Sequence, residues 1–497
     1  MAASRSAKNI RLTDVFPMYT KIRTLDRSEF IMERNLSFVQ ADGDDSLQDG
    51  RVRVRRPMGW WIFLAALSLT VLEGAIRKWV IGSAFQMGSY LAYFSKDLVF
   101  AMLLLCPIRA NSSAPWEVFR RWLIPGCFLL VCGAISSVTK EINIEGTVLT
   151  LRALLFLPVV ALLAARRIQG ISLRSVSCFV GLLTLLNFPL GLMQNHLPPD
   201  HLINRYVTDT AEITAATMGV RATGTFSYIT GMAIISVVGI WAGIVYMSLA
   251  ATVRQQMFGW MILAAGVGCG LASVSRGPIL IGSFMIAVWL IFSGDWAAKK
   301  SHSVIAGILL LAIVLALNLT TTFSQLGQGL LERVETSEDT AHERSLGQFE
   351  EALMAIEMAP FGNGLGTEQV GRYHFSQGEM ANTTFESQLA RLVMETGVMG
   401  LLGFVVVGIG ALLALQVAKA CSVIPGEKAA LLMTQLLLLS MFLTNVVFNH
   451  VASAFVWMIF TAALAASIQK PRSAVLDLRQ DSAQKFYFVT DLQRAQQ

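Results

Sequence analysis

The sequence predicts an all-α polytopic membrane protein with about twelve transmembrane helices, and three observations carry that expectation. Of 497 residues, 54% are hydrophobic and 14% charged, against the roughly 25% charged of a soluble domain, and the mean hydropathy is +0.57. Apolar stretches of about 20 residues, enough to cross a hydrocarbon core, recur along most of the chain. The Lys and Arg residues of the short connections fall in alternate loops, as the orientation bias of inserted helices requires.

The spans are expected at 58–76, 87–106, 122–139, 147–165, 174–194, 227–249, 257–273, 277–293, 303–321, 397–418, 429–447 and 449–468. On this layout one face collects Arg51 to Arg56, Arg109, Arg120, Arg121, Arg166, Arg167, Arg174, Arg254, Lys299, Lys300, Lys419 and Lys428. That face is cytoplasmic and carries both termini. The loops 195–226 and 323–396, with the short turn holding Arg276, lie on the opposite, periplasmic or extracellular face. Three regions follow: a flexible cytoplasmic tail over 1–57, a membrane domain over 58–468, and a cytoplasmic C-terminal tail over 469–497.

The first apolar segment ends in Glu73, Arg77 and Lys78 rather than a small-residue cleavage site, so the first span is expected to be retained. Asp42-Gly-Asp-Asp45 imitates the acidic motif that holds a metal in nucleotide-sugar transferases, but in a polar tail it reads as a solvated linker. The six cysteines, Cys106, Cys127, Cys132, Cys178, Cys269 and Cys421, fall in spans or cytoplasmic loops, which excludes an external disulfide framework and a CxxC metal site. The net charge of +6 is explained by the orientation signals and does not indicate nucleic acid. No repeat relates the two halves, and a single long late loop suits an enzyme or receptor better than a rocking carrier.

Within that loop, Glu343 to Met358 places Leu346, Phe349, Leu353 and Ile356 on one helical stripe, with Glu350, Glu351 and Glu357 mostly away from it. Such a helix lies on the membrane surface or caps the bundle. Pro360 and the glycines of Phe361-Gly-Asn-Gly-Leu-Gly366 end it. A second helix is expected from near Asn382, where Thr383 and Glu386 have capping-box spacing, running through Arg391 and Glu395 into the tenth span.

Arg276 precedes Gly277 and Pro278, and proline suits the first turn of a helix. Free N–H groups and a guanidinium at that helix start make a site for an anion, phosphate above all; the alternative is an arginine snorkelling to headgroups. Arg344 and Arg391 fall at the two ends of the loop, and three external arginines suit a diphosphate. Their alternatives are contacts with Glu343 or Gln348 for Arg344, and an i,i+4 pair with Glu395 for Arg391. Charges inside spans are costly and face protein or water. Glu73 is placed to pair with Arg77 or Lys96, and Asp97 to reach a neighbouring helix, while Arg77 and Lys78 stay open between pairing and binding an anionic substrate. The external histidines His196, His201, His342 and His374 form no zinc pattern.

Ser275-Arg-Gly277, Arg344 heading an amphipathic helix, Ala359-Pro-Phe-Gly-Asn-Gly-Leu-Gly366, and Asn382 through Glu395-Thr-Gly-Val-Met-Gly400 together resemble the signature of the O-antigen ligase and polymerase family over roughly residues 220–420. Glu73-Gly-Ala-Ile-Arg-Lys-Trp79 and Lys96-Asp97 resemble the N-terminal part of a subgroup associated with exopolysaccharide assembly. The resemblance implies a GT-C-like helical enzyme of the bacterial inner membrane. It would transfer glycan from undecaprenyl diphosphate at the periplasmic face, inverting, with no metal, nucleotide sugar or other cofactor.

The family's diphosphate-holding arginine pair would fall on Arg276 and Arg344, joined by Arg391, Arg77 and Lys78. Asn382 and Arg221 would meet the glycan, and Glu386, Glu395 or His374 would take the acceptor proton, Glu386 being preferred. Ligases carry a histidine directly before the asparagine matching Asn382; Ala381 stands there in this chain, which argues against a plain ligase. The implied activity is polymerisation of lipid-linked repeat units, with a flippase and chain-length or export proteins as further partners besides membrane lipids. The alternatives are ligation of finished glycan to a lipid or protein acceptor, and a polysaccharide or solute transporter using Lys96 and Asp97.

Overall fold

A computed structural model describes residues 57–81, 86–108, 113–137, 144–168, 170–204, 220–292, 338–366, 368, 385, 387–444 and 449–468. Among them the regular elements are helical, with no strand. In chain order they are α1 (Met58–Ala75), α2 (Gln86–Met102), α3 (Ala114–Ser137), α4 (Ile144–Leu151), α5 (Leu157–Ala164), α6 (Leu173–His196), α7 (Ile229–Ser248), α8 (Val253–Ala272), α9 (Arg276–Phe292), α10 (Glu338–Met358), α11 (Gln388–Cys421), α12 (Pro425–Leu443) and α13 (His450–Ile468).

Among the described residues, eight helical segments are long and apolar enough to cross a membrane: 58–81, 88–105, 114–137, 144–164, 173–196, 229–248, 388–421 and 450–468. The chain is a polytopic helical membrane protein. Three further expected spans fall on α8, α9 and α12. The expected span 303–321 and the two tails, 1–56 and 469–497, lie outside the described residues.

Local chemistry sets several boundaries. Thr252 and Gln255 form a reciprocal capping box at the start of α8, Ser172 caps α6 by accepting from the Ser175 N–H, and Pro425 opens α12. Two stretches widen into π-helix: Ile76–Ile81, which continues α1, and Arg152–Phe156, which joins α4 to α5. Pro158 follows the second, and a proline there has no N–H to return to the Leu154 carbonyl.

Helices α7 and α13 form the centre, with 89% and 83% of their most apolar windows buried against 28% for α3. In lipid there is no hydrophobic drive between helices, so close approach of small residues does the packing. The seam between α3 and α11 shows this. A Cβ on Gly403 would sit 2.8 Å from the Gly126 carbonyl oxygen, and one on Gly133 would sit 2.5 Å from that of Thr396.

The surface helix exists as expected but uses a different face. Ala355 and Ala359, with Ile356 beside them, pack on Ala390, Val393 and Met394 of α11, whereas Phe349 and Leu353 are 51% and 61% exposed. Alanines let the two backbones come closer than the Phe and Leu stripe would allow. Arg344 lies inside α10 rather than at its head, because the helix begins at Glu338, where acidic residues suit the N-terminal dipole.

The next helix begins at Gln388, not near Asn382. Ser387 is its cap, accepting from the Ala390 N–H at 3.4 Å, and the acid of the box comes from α10: Glu351 accepts from the Ser387 N–H at 2.8 Å. Asn382, Thr383 and Glu386 lie outside the described residues. The turn after α10 docks on α11: Asn363 N donates to the Met394 carbonyl (2.6 Å) and Val398 N to that of Pro360 (2.9 Å). Gly397 kinks α11 there with φ +66°, a conformation that L side chains avoid, and a Cβ on it would lie 2.6 Å from the Pro360 oxygen. Gly362 of the turn is tied down likewise, with φ +79° and a position where a Cβ would lie 2.9 Å from the Glu395 carbonyl oxygen.

Gly403→Val is expected to force α3 from α11 and destabilise the protein by about 1–3 kcal/mol, read as a lower melting temperature in detergent. Gly347→Ala, where a Cβ meets nothing within 4 Å, should leave it unchanged or slightly raised.

Candidate functional site

The segment Val220–Tyr228 is non-helical yet almost wholly buried. Backbone without a helix can lie within a membrane bundle only if its polar groups find partners. Two side chains of α6 provide them. Gln194 Oε1 accepts from the N–H groups of Thr223 (2.9 Å) and Gly224 (2.7 Å), and Asn187 Oδ1 accepts from that of Thr225 (2.9 Å). Ala222 N donates to the Ala272 carbonyl, and Thr225 Oγ1 to that of Val71 at 2.7 Å.

Helix α1 passes against this segment at Gly74, where any Cβ would meet the backbone of Phe226 and Ser227. The π turn that follows brings two consecutive cations onto it. Lys78 Nζ donates to Thr223 Oγ1 at 3.0 Å and to the Gly224 carbonyl at 2.8 Å. Arg77 donates from Nε to Ser89 Oγ (2.8 Å) and from Nη1 to Glu73 (3.2 Å) and Ser227 Oγ (3.5 Å), while its Nη2 is buried without a partner. Both side chains belong to residues only 1% exposed.

Tyr93 of α2 is the hub of the surrounding network. Lys96 Nζ, Arg77 Cζ and Arg152 Cζ stand 4.4, 5.6 and 5.9 Å from its ring centroid, and the His450 ring 4.8 Å away. Lys96 pairs with Glu73 at 2.7 Å. Arg152 grips Asp97 with two hydrogen bonds, 2.5 and 2.8 Å, and also reaches the His450 carbonyl and Ser453. Four buried cations, Arg77, Lys78, Lys96 and Arg152, therefore face two buried carboxylates, Glu73 and Asp97. Among the described residues no carboxylate pairs with Lys78.

Glu395, on α11, belongs to the same end of the bundle. It is 1% exposed; Oε2 accepts from Thr150 Oγ1 at 2.6 Å and Oε1 from the Glu368 N–H at 3.2 Å. Thr150 lies two residues before Arg152. Arg391 Nε donates to the Phe385 carbonyl at 2.6 Å, and the expected i,i+4 ion pair with Glu395 is not among the salt bridges of the described residues. Arg221 donates to the Ser273 carbonyl and Ser275 Oγ, at 3.2 and 3.1 Å, beside the start of α9. Val274 there has φ +50°, a strained conformation for a β-branched residue and a common mark of functional segments.

The structure thus joins Arg77, Lys78 and Arg221 through one buried segment and sets Glu395 next to Thr150. Arg276 and Arg344 are placed as backbone positions, the first residue of α9 and a residue of α10. His374, Asn382 and Glu386 lie outside the described residues. The expected pairs of Glu73 with Arg77 and Lys96 form, and Asp97 does reach a neighbouring helix. Its partner Arg152 went unrecognised, as did Tyr93, Asn187, Gln194 and Thr150. Arg152 is the lone charge inside the apolar stretch 147–165, which is itself a signal. Asn187 and Gln194 stand two helical turns apart on one face of α6, which was another.

No protein-family model matches the sequence, and a search of curated proteins finds no match.

Asp97→Asn is expected to leave Arg152 buried without its carboxylate and to cost about 3–5 kcal/mol, seen as loss of monodisperse protein in detergent. The double change Asp97→Leu with Arg152→Leu should recover most of that loss, since it removes both charges.

Proposed function

We propose that this chain is a glycosyltransferase that joins undecaprenyl-diphosphate-linked repeat units into an exopolysaccharide or O-antigen chain. The observation that carries the reading is the buried excess of cationic side chains around Val220–Tyr228, at the end of the bundle that also holds Glu395. A buried cluster in which Arg77, Lys78, Lys96 and Arg152 share the carboxylates of Glu73 and Asp97 suits a diphosphate, and the ordered motifs at Arg276, Arg344 and 359–400 suit a polyprenyl-linked one.

In this reading the bundle is GT-C-like with about twelve spans, and lies in a bacterial inner membrane with both termini cytoplasmic. The cationic end faces the periplasm, where Arg and Lys are otherwise disfavoured in short loops. A sugar hydroxyl of one lipid-linked unit attacks the anomeric carbon of the other from the face opposite the diphosphate. The new glycosidic bond forms, the bond to the diphosphate breaks, and configuration inverts. Arg276, Arg344 and Arg391 stabilise the charge gathering on the leaving diphosphate, so neither metal nor nucleotide sugar takes part. Arg221, fixed beside Ser275, and Asn382 orient the glycan.

A carboxylate or imidazole takes the hydroxyl proton. Glu386 is the preferred base, with His374 as the other candidate; Glu395, 1% exposed and held by Thr150 and the Glu368 N–H, serves as a positioning group. Membrane lipids, a flippase and chain-length or export proteins are the partners of such an enzyme. A ligase that moves finished glycan to another acceptor is the second reading; Ala381, in place of a histidine before Asn382, speaks against it.

Arg276→Ala and Arg344→Ala, each in cells where the protein is still made and inserted, are expected to shorten the polymer to single repeats on the lipid carrier, a loss of about 100-fold or more in transfer. Analysis of lipid-linked intermediates checks this. Unchanged long polymer in both variants would sink the reading, and long polymer accumulating on the carrier would convert it to a ligase.

A further inference from the structure

Burying an unpaired cation costs several kcal/mol, and the cluster around Tyr93 holds two formal positive charges more than its carboxylates balance. The excess is not spread evenly. Arg152 and Lys96 each have a carboxylate at 2.8 Å or closer. Arg77 shares Glu73 with Lys96 at the longer distance of 3.2 Å, and Lys78 has no carboxylate among the described residues, so the imbalance falls on this consecutive pair on the π turn. Two observations show a missing anionic partner there. Arg77 Nη2 is sealed from solvent with no acceptor. Lys78 Nζ has three N–H donors; among the described residues it meets two hydrogen-bond acceptors, Thr223 Oγ1 and the Gly224 carbonyl, and the face of the Trp79 ring at 4.8 Å, all of them neutral. The two side chains approach opposite ends of one tight turn, closed by the Phe226 N–H donating to the Thr223 carbonyl, with Ser227 Oγ beside Arg77. Two cationic donors and hydroxyls on a short buried turn match a phosphate-type oxyanion bearing two charges.

We propose that Arg77, Lys78 and the Thr223–Ser227 turn form an oxyanion site that takes the phosphate end of a substrate, additional to any diphosphate held through Arg276 and Arg344. A reaction between two lipid-linked units presents two diphosphates, one leaving and one retained. The turn is the place for the retained one. This last assignment rests on the polymerase reading, whereas the oxyanion site itself does not. Uptake requires local opening of the corner where Nη2 is sealed.

The test uses the full-length protein in lipid nanodiscs, in a background of Arg276→Ala with Arg344→Ala, so that failure of the transfer reading does not affect it. Inorganic pyrophosphate is titrated by calorimetry at fixed ionic strength. Binding is expected in the background, weakened about tenfold or more, the scale of one charge-assisted hydrogen bond, when Arg77→Lys or Lys78→Met is added. Arg77→Lys keeps a cation for Glu73 while deleting Nη2, so a purely structural role would change the melting temperature without changing affinity. No pyrophosphate binding in the background overturns the site, as does binding indifferent to both substitutions, and the first outcome is readable even if a variant fails to fold. Competition separates the sources. Displacement by a polyprenyl diphosphate but not by phosphatidylglycerol supports the retained substrate; displacement by phosphatidylglycerol alone makes this a bilayer-headgroup site and overturns that assignment.

Discussion

Everything at the polar end of this bundle follows from the need to keep charge out of hydrocarbon. Glu73 is shared between Arg77 and Lys96, Asp97 is gripped by Arg152, and the Tyr93 ring lies among three of these cations. These contacts tie α1, α2 and the α4–α5 junction together, and through His450 and Ser453 they reach α13. The same logic governs the backbone. Val220–Tyr228 leaves helical geometry inside the protein only because Gln194 and Asn187 accept its N–H groups, and Lys78 donates into its carbonyl side.

The residues that frame the proposed chemistry are held by this network and not by their nearest sequence neighbours. Glu395 is oriented by Thr150, a residue of α4, and Arg221 by the strained connection between α8 and α9. The turn after α10 is positioned by hydrogen bonds to the kinked start of α11, which makes the end of that surface helix part of the bundle. A site assembled from parts of the chain this far apart is sensitive to helix packing, and the glycine seam between α3 and α11 belongs to it as much as any arginine does.

Much of the architecture was legible in the sequence because hydrophobic length is a strong local signal: eleven of the twelve expected spans fall on observed helices. The pairing of Glu73 with Arg77 was legible for the same reason, being a matter of i,i+4 geometry. What was not legible depended on partners far away in the chain. Asp97 selects Arg152 across 55 residues, and Ser387 caps α11 with an acid borrowed from Glu351, so no local capping pattern marks the true start of the helix. The α10 face was misread because amphipathicity ranks residues by hydrophobicity, while its contact with α11 is set by side-chain size: the alanines won over Phe349 and Leu353.

The π turn at Ile76–Ile81 has one more consequence. A wider turn accommodates one residue more than an α-helix would in the same length, and each residue of an α-helix rotates the side chains by about 100°. Removing a single residue from that turn, with no change of chemistry anywhere, would let α1 run on as an ordinary helix and swing one or both of Arg77 and Lys78 away from the buried segment and toward other helices or lipid. The determinant of this corner is therefore a matter of counting as well as of residue type.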